Sequence, residues 1–304
     1  MTAERFFTHP LGIVFSAVLA TFLWGSAFPF IKLSYDLLDI QSNEIGEQIL
    51  FAGYRFFLAS MLIFIFFLVM KKEMRFKRET LQPIMKIGFF QTLLQYVLFY
   101  IGLSLSTGMQ GSIIAGATSF FQMVLAHFMY ADDRLNRRKT IGLIVGFSGV
   151  IAVNLTKGDF QLNFGLGELL LLLAMLSGGF GNILAKEGAK KMEVSYLTSY
   201  QMLVGSLGLL IIGIVQVGFF PFSFQTGSFL ALLYLSFLSA AGFILWNNVM
   251  KYNQVGKVSI YMFLVPVFGV FLSAMILREE LHQFVLIGLA LVTAGIFIVN
   301  RPKK

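Results

Sequence analysis

Long apolar runs separated by short polar segments set the pattern of this chain. A transmembrane helix needs about 20 mostly apolar residues to cross a hydrocarbon core of roughly 30 Å. The runs are continuous rather than alternating, which favours helices over β-strands in lipid, where every backbone group must be satisfied internally. The pattern predicts ten spans, at 11–33, 46–70, 84–105, 108–130, 139–156, 165–186, 195–217, 227–250, 257–277 and 282–300.

The composition supports this assignment to the membrane. Hydrophobic residues make up 57% of the 304 residues and charged residues only 12%, whereas a soluble domain carries about 25% charged residues. The chain has no cysteine, which excludes a disulfide framework and thiolate metal sites. The apolar run from Leu11 follows Arg5 as in a signal peptide, but no small-residue cleavage site comes after it. We therefore interpret it as the first transmembrane helix.

The positions of the basic residues predict the topology. Cytoplasmic segments of membrane proteins are rich in Lys and Arg. With a cytoplasmic N-terminus, basic residues concentrate in inside segments such as 71–86 and 134–139, and only Lys32, Lys157 and Arg278 fall outside. Adding or removing one span would destroy this segregation. We therefore expect ten helices with both termini in the cytoplasm, in a plasma (inner) membrane. The net charge of +8 then reflects topology rather than nucleic-acid binding.

A weak internal repeat divides the chain into two halves. Residues of the first half recur in the second at a constant distance along the chain. The matched pairs are Tyr54 and Tyr200, Ser60 and Ser206, Ile141-Gly142-Leu143 and Ile287-Gly288-Leu289, Gly149 and Gly295, and Val153-Asn154 and Val299-Asn300. Each half holds five spans, an odd number, so the halves would enter the membrane from opposite sides. We predict an all-α membrane protein with repeats at 1–157 and 158–304, inverted around a central cavity as in secondary transporters.

Several segments carry a family resemblance through their order and spacing. They are Trp24-Gly25-Ser26-Ala27-Phe28 with Lys32, Tyr54-Arg55-Phe56, Gly181-Asn182-Ile183-Leu184-Ala185-Lys186, Val265-Pro266-Val267-Phe268, and Arg278-Glu279-Glu280-Leu281 with Gly288 and Gly295. Together they resemble the EamA-type branch of the drug/metabolite transporter superfamily over nearly the whole chain. The resemblance implies ten helices, a central cavity, and export or uptake of small metabolites such as amino acids, amines or nucleosides.

The sequence departs from the family pattern at three positions. Phe120 stands where the family's fourth helix often carries a proline, and the loop acid is Asp133 rather than glutamate. Gly178 stands where the family often has a tryptophan in the second half. These departures weaken any transfer of a substrate from other members.

Polar groups inside the spans are the candidates for substrate contact, because they are costly in lipid and face a cavity or a partner. Arg55 would hold a substrate carboxylate, change partners during gating, or tie down a helix end. The amides and hydroxyls would orient a ligand or join helices, and the tryptophans would pack on a substrate or anchor at the interface. The candidate set is Trp24, Ser26, Phe28, Arg55, Gln91, Gln95, Thr118, Gln122, Asn182, Trp246, Asn247 and Tyr261.

Pro29 and Pro266 each free a carbonyl within a span, so we predict bends there that act as hinges or shape the bundle. The sequence contains no HExxH, P-loop or GxSxG motif and no helix with metal-ligand spacing, so we expect neither an enzyme nor a cofactor or metal. Acidic residues deep in the spans are missing, which disfavours proton coupling.

We expect a carrier of amino acids or related zwitterions, with a small-molecule substrate and the lipid bilayer as its partners, and a monomer is compatible with the sequence. Two alternatives stay open. A lipid flippase would have a lateral opening and an apolar cavity wall. A non-transporting membrane subunit would use all of its polar residues in contacts between helices.

Overall fold

The computed structural model of the protein describes residues 2–41, 43–105, 114–153, 165–277 and 284–301. In these ranges the chain is helical and forms no β-strand. The helices are α1 (Ala3–Thr8), α2 (Pro10–Leu38), α3 (Ile45–Val69), α4 (Arg78–Ser104), α5 (Ala117–Met129), α6 (Arg137–Val153), α7 (Leu166–Ala189), α8 (Val194–Val217), α9 (Thr226–Tyr252), α10 (Val255–Ile276) and α11 (Phe284–Asn300).

A helix lies in each of the ten predicted spans, and the short helix α1 precedes the first. Within the described ranges, seven helices are long and apolar enough to cross a membrane, namely α2, α3, α4, α7, α8, α9 and α10. The connection at 106–110, Asn154 and the motif at 278–281 lie outside the described residues. The chain is a multi-pass helical membrane protein.

The helices pack in four main combinations. α3 packs against α8, and α6 packs against α11. α2 lies against α9 and α10, and α7 lies against α4 and α5. Each of these contacts joins a helix from residues 1–157 to one from residues 158–304, so the two halves are interleaved rather than placed side by side.

Glycines allow a close approach between α6 and α11. A Cβ on Gly149 would lie 2.7 Å from the carbonyl oxygen of Gly288, and one on Gly295 would lie 2.8 Å from the carbonyl oxygen of Gly142. Such small residues let two backbones come into direct contact in a membrane, where close van der Waals packing drives helix association.

Both predicted hinge prolines lie on helices that pack against each other. Pro29 lies inside the uninterrupted helix α2. Pro266 is the third residue of the α-helical part of α10 that begins at Leu264, directly after a 3₁₀ segment at Ser259–Phe263, and the first turn of an α-helical part is where a proline is best tolerated. The two helices approach closely at Gly25, whose added Cβ would lie 2.9 Å from the carbonyl oxygen of Val265.

Helix α4 changes its geometry in the middle. A π-helical segment at Phe89–Leu94 separates two α-helical parts. Such a segment inserts an extra residue into a helix and is frequently found at functional sites. It presents the fully buried side chains of Gln91 and Thr92 to neighbouring helices.

Candidate functional site

Arg55 has the lowest exposure of the charged side chains in the described part of the chain. It lies ten residues after the start of α3, about 15 Å along the helix, and only 2% of its surface is exposed. Its Nε donates hydrogen bonds to the Leu235 carbonyl oxygen at 3.3 Å and to Ser239 Oγ at 2.8 Å, both on α9. Among the described residues no carboxylate forms an ion pair with it.

Aromatic rings surround this guanidinium. Its Cζ lies 5.0 Å from the centre of the Phe56 ring, which lies 4.3 Å from the ring of Tyr96. The phenols of Tyr35 and Tyr100 are close to each other and to Arg55, but neither buried hydroxyl meets the geometry of a full hydrogen bond in the described part of the chain. We call Tyr35, Arg55 and Tyr100 the arginine–tyrosine site.

A second aromatic group, the tryptophan cluster, consists of Trp24, Phe243 and Trp246. The ring of Trp24 lies 5.2 Å from Phe243 and 5.7 Å from Trp246. It contacts both of the large hydrophobic clusters of the protein and stays partly exposed between them. Neither indole nitrogen finds a hydrogen-bond partner among the described residues. The Trp24 nitrogen lies against Gly242, where an added Cβ would come within 2.7 Å of it.

Two other candidates on α2 also face the interior. Ser26 Oγ lies 2.8 Å from the hydroxyl of Tyr234 on α9 and donates to the Leu23 carbonyl oxygen at 2.8 Å. Phe28 is half-buried, with its ring 6.5 Å from Phe99 on α4. The Trp24-Gly25-Ser26-Ala27-Phe28 motif therefore places three predicted site residues where α2 meets α4 and α9.

Gln91, Asn182, Thr198 and Asn247 form an amide network between four helices. Gln91 Nε2 donates to Asn182 Oδ1 at 2.6 Å and to Asn247 Oδ1 at 3.5 Å, and Asn247 Nδ2 donates to Thr198 Oγ1 at 3.0 Å. All four side chains are buried. Most of their polar atoms are satisfied by one another, so the geometry of this network suits helix-to-helix contact.

Gln95 occupies the space left by the missing tryptophan at position 178. A Cβ on Gly178 would lie 2.5 Å from Gln95 Cδ, and Gln95 remains partly exposed. Thr118 is buried nearby on α5, and its hydroxyl is 2.9 Å from the Ala115 carbonyl oxygen and 3.0 Å from Met175 Sδ. Gln95 is therefore the predicted amide on α4 that is still accessible to a ligand.

The remaining two candidates lie where α5 meets the 3₁₀ segment of α10. Gln122 Oε1 accepts a hydrogen bond from Ser259 Oγ at 2.7 Å, and Ser119 Oγ donates to the Ser259 carbonyl oxygen at 2.7 Å. Tyr261 is buried two residues further on, with 6% of its surface exposed. Some of the predicted substrate-contact residues therefore lie in the centre of the bundle, and the others take part in contacts between helices.

The basic end of the bundle is held together by charged groups that we call the basic-end network. Lys139 Nζ lies 2.5 Å from Asp133 Oδ1, and both side chains are buried. The other carboxylate oxygen of Asp133 accepts a hydrogen bond from the Gly256 amide at 2.9 Å. The segment between α5 and α6 is therefore fastened to the start of α10.

Lys186 extends this network to α9. Its buried Nζ donates to the carbonyl oxygen of Met250 at 2.6 Å and to that of Asn253, where the exposed carbonyls of a helix C-terminus attract a cation. One residue further along α7, Glu187 accepts a hydrogen bond from the Tyr130 hydroxyl at 2.6 Å. Together these contacts close the basic ends of α5, α7, α9 and α10 onto one another.

Sequence reasoning missed Tyr35, Tyr100 and Lys186 as functional candidates. Tyr100 follows Tyr96 by four residues, so the helical spacing places both on one face. Lys186 follows Gly178 by eight residues, as Lys32 follows Trp24 in the first half. For Tyr35, near the end of α2, the sequence carries no comparable signal.

Comparison with known proteins gives consistent matches over almost the whole chain. A model described as "EamA-like transporter family" matches residues 11–155 and again 165–301. The chain is similar to the uncharacterized transporter YvbV of Bacillus subtilis, with 28% identity over 95% of this chain and 92% of that protein. It is 26% identical to a "Probable amino-acid metabolite efflux pump" of Salmonella typhimurium, over 93% of each chain. A solved crystal structure superposes with a TM-score of 0.73 at 15% identity, covering 94% of this chain and 98% of the other.

Proposed function

Because the chain belongs to the EamA-like transporter family, we propose that it is a secondary carrier for small carboxylate-bearing metabolites, above all amino acids or related zwitterions, which works by alternating access. The observation that carries the substrate class is Arg55, a buried cation without a carboxylate partner among the described residues. An isolated charge inside a membrane is costly and marks a site that a ligand of opposite charge can complete. The amino-acid metabolite named for the Salmonella typhimurium relative fits this chemistry.

Ten crossings in two inverted halves, 1–157 and 158–304, are part of the proposal. The double family match supports this division. Reciprocal contacts support it as well: Gly142 meets Gly295, and Gly149 meets Gly288. Gly142 corresponds to Gly288 in the repeat and Gly149 to Gly295, so the two contacts exchange under a two-fold axis, as an isologous interface requires.

A second pair of contacts supports the same axis. Arg55 on α3 corresponds in the repeat to Gln201 on α8. Ser239 on α9 corresponds to the residue that directly follows Thr92 on α4. Arg55 bonds to Ser239 at 2.8 Å, and Gln201 Oε1 accepts from Thr92 Oγ1 at 2.8 Å. The two contacts would then share their geometry and differ in their side chains. The contact of Arg55 would form a charged substrate site, and the contact of Gln201 would form a neutral bond between helices.

The basic-end network supports alternating access. Under the proposed topology it faces the cytoplasm, with both termini on that side of the plasma (inner) membrane. Its contacts tie α5, α7, α9 and α10 together, and these helices come from both halves. We propose that this network closes the inner side of the carrier and opens when the halves rock, with Pro29 and Pro266 as hinges and the monomer as the working unit.

The roles that we propose for the other candidates differ. Trp24, Ser26, Phe28, Gln95 and Trp246 lie around the proposed path and would contact the substrate. Gln91, Thr118, Gln122, Asn182, Asn247 and Tyr261 would fix the spacing of the helices that form it. The amide network supports this division, because most of its polar atoms are already bonded to one another.

The test is counterflow in liposomes that contain the purified protein. Liposomes loaded with a mixture of the twenty amino acids should accumulate labelled external amino acids, and replacing Arg55 by glutamine should abolish this accumulation. Arg75→Gln, which changes an exposed residue, is the matched control and should transport normally. If no amino acid, amine, nucleoside or organic acid exchanges, the carrier proposal is wrong. Movement of labelled phospholipid instead would indicate a flippase.

A further inference from the structure

The arginine–tyrosine site and the tryptophan cluster hold more hydrogen-bond donors than acceptors. The guanidinium of Arg55 and the indole nitrogens of Trp24 and Trp246 can only donate hydrogen bonds. The hydroxyls of Tyr35 and Tyr100 are buried beside each other and beside Arg55, and neither meets the geometry of a full hydrogen bond in the described part of the chain, so each can turn its proton to a ligand. A ligand that completes this site must therefore bring acceptors or negative charge, and it need not bring a donor.

The described residues offer little to an ammonium group here. No carboxylate of these residues pairs with Arg55, and the ring of Phe56 already faces that cation. The acceptors near this cation are all neutral: the phenol oxygens of Tyr35 and Tyr100, the partly exposed amide of Gln95, and the buried, unpartnered Gln91 Oε1. Gln91 lies nine residues before Tyr100, roughly 13 Å along a helix. The α-ammonium of an amino acid is bonded to the carbon beside its carboxylate, so it cannot reach that oxygen while the carboxylate is bound.

We propose that the protein recognises its substrate through the carboxylate alone, so that organic acids lacking an α-ammonium, such as 2-oxo and 2-hydroxy acids with an apolar side chain, belong to its substrate class. The carboxylate accepts hydrogen bonds from Arg55, Tyr35 and Tyr100, and the side chain packs on the tryptophan cluster. An amino acid binds in the same way but must desolvate an ammonium group that gains no charged partner among the described residues, which costs binding energy. This inference rests on the proposed carrier function and widens its substrate class from zwitterions to anions.

The experiment compares compounds that differ in one group. Leucine, 4-methyl-2-oxopentanoate and 3-methylbutylamine share an apolar side chain. Leucine carries both charged groups, the 2-oxo acid carries only the carboxylate, and the amine carries only the ammonium. Phenylalanine, phenylpyruvate and phenethylamine form a second set. Dissociation constants are measured with the full chain in detergent by thermal shift, since a ligand that binds the folded state raises Tm by mass action. We expect each 2-oxo acid to bind at least as tightly as its amino acid and neither amine to bind.

A second variant tests the inference in case Arg55→Gln does not fold. The double variant Tyr35→Phe, Tyr100→Phe preserves the rings and removes only two unpaired hydroxyls. We expect it to raise the dissociation constant of the 2-oxo acids by about tenfold or more, because a hydrogen bond to a charged group is worth about that much. Tyr200→Phe is the control, because its hydroxyl donates to the Met74 carbonyl oxygen at 2.8 Å, away from the site.

The outcomes separate this inference from the carrier proposal. An amino acid that binds at least tenfold tighter than its 2-oxo acid shows that the ammonium is recognised and overturns the inference. Binding of an amine, or of neither acid in both sets, also overturns it. If in those cases the liposomes still exchange amino acids or other metabolites, the carrier proposal stands without it.

Discussion

Replacing Gly181 by alanine should separate α4 from α7. An added Cβ would lie 2.7 Å from the backbone nitrogen and Cα of Gln91, and equally close to its Cβ. Backbone atoms of a helix cannot move alone, so the two helices must shift apart, and the Gln91–Asn182 hydrogen bond at 2.6 Å must lengthen. Overpacking of this kind costs about 1–3 kcal/mol.

Gly179→Ala is the matched control on the same helix. There the added Cβ would meet Gln122 Cγ at 3.4 Å and Phe121 Cβ at 3.5 Å, which is ordinary van der Waals contact. Alanine is favoured over glycine inside a helix by about 1 kcal/mol. Both variants gain this propensity, so their unfolding free energies should differ by the overpacking cost alone, about 1–3 kcal/mol, although the chemical change is identical.

Thermal unfolding of the purified variants in one detergent measures this difference. A gap of about 2 kcal/mol corresponds to roughly 4 °C in Tm for a chain of this size. We expect Gly179→Ala to melt at or above the wild-type temperature and Gly181→Ala clearly below it. Equal melting temperatures for the two variants, or a reversed order, would refute the close contact between α4 and α7.

Two further predictions concern the basic end of the bundle. If the basic-end network closes the cytoplasmic side as we propose, Lys186→Met should loosen it, and a single cysteine at Ser26 in this cysteine-free chain should react several-fold faster with an impermeant maleimide added from that side of vesicles. Lys191→Met, which changes an exposed residue, is its control, and an unchanged rate for Lys186→Met would argue against the closure. Asp133→Asn should lower the unfolding free energy by about 3 kcal/mol, because it leaves a buried lysine uncompensated. Glu193→Gln, in an ion pair with exposed partners, should cost under about 1 kcal/mol. Similar losses for both carboxylates in thermal unfolding would contradict the burial of the first pair.

The order of the helices and their approximate ends followed from the sequence. Apolar runs of membrane length are a local property, so a described helix lies in each span predicted from hydropathy, although α2 continues to Leu38 and α4 begins at Arg78. The family resemblance also followed from the sequence, because Trp24-Gly25-Ser26-Ala27-Phe28 and Val265-Pro266-Val267-Phe268 keep the spacing of the family, and the family model matches both halves. Inversion of the repeat and the orientation of the termini remain predictions from the odd span count and the positions of Lys and Arg.

The site was predicted less completely. Arg55 stood out because a charge within an apolar run is conspicuous in any sequence. Its partners Leu235 and Ser239 lie on α9, far along the chain, and hydropathy carries no information about which helices meet. The π-helical segment that aims Gln91 at Asn182 also left no sequence signal.

Buried charges show most clearly what the tertiary structure alone decided. Lys139 and Lys186 were counted as cytoplasmic charges that set the topology, and the sequence alone determined that the chain segregates such charges between its polar segments. Only the packing of α5, α7, α9 and α10 revealed that both lysines are buried. Lys139 lies against Asp133, and Lys186 lies against the end of α9. The physical reason is that hydropathy depends on residues near in sequence, whereas burial and pairing depend on the rotation and crossing of helices distant in sequence.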